Sequence, residues 1–138
     1  GVKPFPILSA AERVLVPVLL VYSVALLATG HSRPGGGFSG GLVAASAFAL
    51  RAVVRDPTRE GHDSSRRPRL VLAAGLFLVW TAAILPVFLG KPLLTATSLG
   101  LHLPPGFTVG TEFLFEAGVY LVSAGAALTV LRAILRKP

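Results

Sequence analysis

From Leu70 to Gly90 the chain carries no charged side chain, and that run limits the folds open to it. About 20 apolar residues is the length at which a helix crosses a bilayer core. Backbone in hydrocarbon must satisfy its own hydrogen bonds, so such a run folds as a helix. Three further apolar runs cover about 12–29, 38–54 and 108–131. Only here is composition needed: 53% hydrophobic and 14% charged residues over 138 positions leave too little polar surface to coat a water-soluble globule. The expected fold is all-α, a single membrane domain over 1–138 with about four transmembrane helices, multi-pass in the inner or plasma membrane.

Charge sets the expected topology. Four spans place Lys3, Arg13, Arg51, Arg55, Arg59, Arg66, Arg67, Arg69, Arg132, Arg136 and Lys137 on one side, and leave Arg33 and Lys91 on the other. By the positive-inside rule both termini are cytoplasmic. A three-span layout without 38–54 would divide the cations almost as unevenly, and the small residues of 38–54 favour four. The net charge of +7 is spent at the ends of apolar runs, with no basic stripe interleaved with aromatics, so no nucleic-acid partner is expected. Cysteine is absent and the histidines are scattered, so neither a metal site nor a cofactor is expected.

In chain order, Ser9 and Glu12 have the spacing of a capping box at the start of the first helix. Pro17 sits near the start of the first span, where a missing N–H costs little. Arg51 snorkels from the end of the second span. The polar residues 55–69 read as an exposed linker, Pro86 as the end or kink of the third span, and 91–107 as a loop against the interface.

The segment 30–41 joins the first two spans and includes Pro34, Gly35, Gly36, Gly37, Gly40 and Gly41. Pro34 stiffens its start, and the glycines permit a sharp turn. Gly37, Gly41, Ala45 and Ala49 then recur every fourth residue, a stripe of small side chains that admits a partner helix at close range.

Polar groups within the spans carry whatever chemistry the chain has, because a charge at the bilayer centre costs roughly 3 kcal/mol on insertion scales. Glu112 and Glu116 lie one helical turn apart, with Tyr120 a turn further on. With a rise of 1.5 Å per residue, Glu116 lies roughly 10 Å into the core and Glu112 only about 4 to 5 Å. Glu116 is therefore the committed intramembrane acid, a cation or proton stop. Glu112 reads first as an interface residue favoured by a helix N-terminus, Tyr120 as the hydrogen-bond partner of Glu116 or a packing aromatic, and His31 as a proton-gathering group or a solvated loop histidine. The glycine turn lacks the Gly-Lys-Ser/Thr ending of a phosphate loop, and no nucleophile stands in a catalytic grouping, so the chain is not expected to be an enzyme.

Two segments carry a family resemblance. Gly30-His31-Ser32-Arg33-Pro34-Gly35-Gly36-Gly37-Phe38 and Gly110-Thr111-Glu112-Phe113-Leu114-Phe115-Glu116-Ala117-Gly118-Val119-Tyr120-Leu121 resemble the two motifs of the B subunit of multisubunit Mrp-type (Mnh) sodium/proton antiporters, with Glu116 on the acidic position. Related subunits of energy-converting membrane hydrogenases share the pattern. Glu112 and the 55–69 linker fall outside it. The resemblance implies a non-enzymatic subunit of a hetero-oligomeric membrane complex that exchanges Na+ for H+. Its expected role is to pack between other subunits, with Glu116 contributing to an ion path. The alternative is a purely structural or assembly subunit of such a complex or of a related energy-converting membrane hydrogenase.

Overall fold

The computed structural model describes residues 6–30, 36–55, 66–103 and 107–135. Four helices, α1 (Pro6–Thr29), α2 (Gly37–Val54), α3 (Arg66–Phe88) and α4 (Thr111–Leu135), are each long and apolar enough to cross a membrane. Before α4 comes a hairpin of β1 (Ser98–Leu103) and β2 (Phe107–Gly110).

The helices are layered in the order α1, α2, α4, α3. Gly36 N–H donates to Leu26 O at 3.2 Å at one end of the first pair, and Arg55 meets Glu12 at the other, so α1 and α2 are antiparallel. Gly37 faces Glu116 and Gly41 faces Tyr120, which sets α2 parallel to α4. Gly75 lies against Val122, and Gly125 against Leu72, so α3 runs antiparallel to α4.

Small residues line the seams. Ala44, Ala45, Ala47, Ala82 and Ala124 are buried, while Phe77 (74% exposed) and Phe88 (83%) point outward. In a bilayer lipid tails are as apolar as leucine, so close packing of backbones replaces burial of bulk as the force between helices. A Cβ on Gly75 would lie 2.7 Å from Val122 N, a separation that only glycine allows.

Local starts and stops differ from the sequence reading in four places. The first helix is already formed at Pro6, and the Ser9 hydroxyl donates to Pro6 O at 3.0 Å; Ser9 is inside the helix rather than its cap. Pro17 is consequently mid-helix. The helix α3 begins at Arg66, so the last residues of the expected linker form its first turn, where Pro68 sacrifices no helical hydrogen bond. Finally, 98–110 pairs as a hairpin, with Leu103 opposite Phe107 and a register shift between Ser98 and Leu101. Its strands were obscured by prolines that read as loop.

Pro86 lies in the last turn of α3, fully buried, and its carbonyl accepts from Leu89 N and Lys91 N, each at 3.0 Å. The helix continues to Phe88 and stops there.

Candidate functional site

The site forms where the start of α4 meets the start of α2. Thr111 opens α4 and is buried: its hydroxyl donates to Thr95 O at 3.3 Å and accepts from Thr97 N–H at 3.0 Å, while its own N–H donates to Thr97 O at 3.0 Å. These bonds tie the 95–97 segment to α4 and fix the position of the next helical turns. Glu112, in that first turn, is exposed and stands where the helix dipole favours an anion.

Glu116 follows one turn later and reaches across to α2. Its Oε2 accepts from the N–H of Gly37, the first residue of α2. The residue before, Gly36, has φ 107° and no side chain with which to cap the helix. A Cβ there would lie 3.0 Å from Glu116 Oε2. Glycine at 36 thus leaves the helix end open, and a carboxylate from another helix fills it. A helix N-terminus carries unsatisfied N–H groups and partial positive charge, so it is a natural partner for an acid within the bundle.

Tyr120 is the next turn of the same stripe. Its hydroxyl lies 2.9 Å from Ser23 Oγ on α1. Ser23 is fully buried and spends its one proton on Leu20 O at 2.7 Å, so Tyr120 is the donor in the pair. Gly40 packs against the Tyr120 ring and the Ser23 carbonyl, Gly41 against the Tyr120 carbonyl, and Ala45 is buried further along the helix. The small-residue stripe of α2 therefore meets α4 of the same chain. His31, Pro34 and Gly35 lie outside the described residues.

A cavity of about 370 Å³ opens beside this arrangement, lined by Ala82, Leu94, Ala96, Thr111, Phe115 and both acids, Glu112 and Glu116. Both glutamates line this space, and Glu116 also reaches α2. Among the described residues no three His, Cys, Asp or Glu side chains gather.

The sequence reads Glu12 only as a capping-box residue, and its ion pair escaped that reading. Glu12 is 6% exposed, with Oε1 at 3.2 Å from Arg55 Nε and 4.0 Å from Arg51 Nε. The available signal was the register of a helical hairpin: Glu12 precedes Gly30 by as many residues as Arg55 follows Gly37. Thus α2 is held by a carboxylate at each end, Glu116 from α4 and Glu12 from α1.

Four helices long and apolar enough to cross a membrane, one of them carrying an acid bonded to the N-terminus of another, define a multi-pass membrane protein. A family profile matches residues 7–129, and the chain belongs to that family, the domain related to the MnhB subunit of Na+/H+ antiporters. It is 34% identical over 130 residues to a protein of Staphylococcus saprophyticus named antiporter subunit mnhB2, covering 93% of this chain and 92% of the relative. It is 33% identical over 130 residues to the B subunit of the Na(+)/H(+) antiporter of Bacillus subtilis, covering 93% and 91%.

Proposed function

We propose that this chain is the B-type subunit of a multisubunit Na+/H+ antiporter, in which Glu116 is a cation or proton stop on a path at the edge of the subunit. The observation that carries this reading is the double placement of Glu116: the residue lines the cavity shared with Glu112, and its carboxylate accepts from the amide that starts α2. A charge change there is felt by both the cavity and the helix. Glu112, nearer the opening of α4, is the outer acid through which a cation enters. Neighbouring subunits of the complex close the path and shield the carboxyls from lipid.

A second reading, a purely structural subunit, draws on the same hydrogen bond, since capping α2 is by itself a stabilising role. Glutamine at 116 keeps an acceptor for Gly37 and removes the charge. Antiport measured in vesicles containing the complete Glu116→Gln complex separates the two: loss of exchange with all subunits present supports the ion path, and unchanged exchange leaves only the structural role.

A further inference from the structure

We propose that α3 binds an anionic phospholipid, whose phosphate is held by Arg66, Arg67 and Arg69 and whose acyl chains lie along the apolar groove on the same helix.

The charge comes first. Arg66, Arg67 and Arg69 are exposed, and none has an ion pair among the described residues. The acid described at this end of the bundle, Glu12, is occupied by Arg55 and Arg51 on α2. No acidic residue stands in the first turn of α3, and cations at a helix N-terminus sit at the unfavourable end of its dipole. Three arginines there raise a positive potential that the described protein does not balance. A phosphate accepts the forked guanidinium hydrogen bonds and balances it.

The second observation is the surface directly below. Leu76, Phe77, Trp80, Ile84, Leu85 and Phe88 line an outward groove of about 480 Å³, which no other described helix covers. Phe77 is 74% and Trp80 68% exposed. The one hydroxyl in the groove, on Thr81, is satisfied by Phe77 O at 2.8 Å, so beyond the Trp80 indole N–H the side chains of the groove are apolar. From Arg69 to Trp80 the helix rises roughly 16 Å, about half of a hydrocarbon core near 30 Å thick. A head at the arginines therefore places its chain ends at Trp80. Its chains therefore run against Leu76, Phe77 and Trp80, the near part of a groove that continues to Phe88. A zwitterionic lipid brings its own cation to the arginines and is the weaker ligand.

Trp80 is the sole tryptophan of the chain, which makes the test direct. The chain is reconstituted in phosphatidylcholine vesicles, and Trp80 fluorescence is titrated with phosphatidylglycerol or phosphatidylcholine brominated near the chain ends. Brominated phosphatidylglycerol is expected to quench at a several-fold lower mole fraction, with a preference that shrinks as salt is raised. The triple variant R66Q/R67Q/R69Q is expected to lose the preference, and R66K/R67K/R69K to keep most of it. Equal quenching of the wild type by both lipids overturns the proposal, as does a preference that survives the glutamine variant. Absence of quenching by either lipid shows Trp80 covered by protein and also overturns it. The wild-type comparison and its salt dependence decide the matter if a variant fails to fold.

Discussion

The carboxylate of Glu116 closes the N-terminal end of α2 by accepting the Gly37 amide, across 79 positions of sequence. A helix without a capping side chain of its own is thus capped by its neighbour, and the only acid deep in α4 is spent on a helix end rather than on a basic side chain. Loss of this bond uncaps α2 and frees the carboxylate together.

Glu116→Ala and Glu116→Gln are therefore expected to differ. Alanine leaves the Gly37 amide without its acceptor, at a cost of about 1–3 kcal/mol, whereas glutamine forfeits only the charge-dipole part, typically up to about 1 kcal/mol. The melting temperatures of the purified complexes should fall in the order wild type, glutamine, alanine. An alanine variant as stable as the glutamine variant contradicts the capping role.

Gly37→Ala should abolish the α2–α4 contact. The added Cβ would overlap the carbonyl oxygen of Glu116, which is backbone and has no rotamer by which to retreat. Gly90→Ala meets no atom within 4 Å and carries only the strain of φ +75°, about 1–2 kcal/mol. Size-exclusion profiles after graded heating should show the first variant aggregated under conditions where the second remains monodisperse.

Tyr120→Phe keeps the ring against Gly40 and deletes the hydroxyl that donates to Ser23. Ser23 retains its bond to Leu20 O, so the expected cost is small, about 1 kcal/mol. In a double-mutant cycle Tyr120→Phe and Ser23→Ala should be non-additive, because either one removes the same link between α1 and α4. Additive losses would show that the link contributes nothing.

Glu12 and Arg55 should also be coupled. The Glu12 side chain is 7% exposed and that of Arg55 61%, so solvent on the arginine side screens the pair and limits its net worth to about 1 kcal/mol. Arg55→Gln alone, which takes from the buried Glu12 carboxylate its partner at 3.2 Å, is expected to destabilise the α1–α2 hairpin, and adding Glu12→Gln to restore part of the loss. Hydrogen exchange at the C-terminal turn of α2 reads this locally, and an unchanged rate in Arg55→Gln refutes it.

The helices were legible because apolar runs such as 70–90 have one satisfactory form in hydrocarbon. Glu116 was legible as well, since an acid in such a run stands out against its surroundings. The hairpin was hidden by Pro104 and Pro105, which read as loop, and the extent of α3 by arginines that solvate well in either a linker or a helix.

What the amino-acid order determined by itself was the solvent, the helical form of the spans, and the positions where small side chains make close approach possible. Tertiary structure alone decided who approaches whom: that the α2 stripe meets α4 of its own chain, that Glu116 ends on the Gly37 amide, and that Glu12 reaches Arg55. The reason is physical. Solvent preference and helix formation are local properties of a run of residues, whereas the partner of a buried polar group depends on which helices lie side by side, and small residues on every seam permit several arrangements until their polar groups are matched.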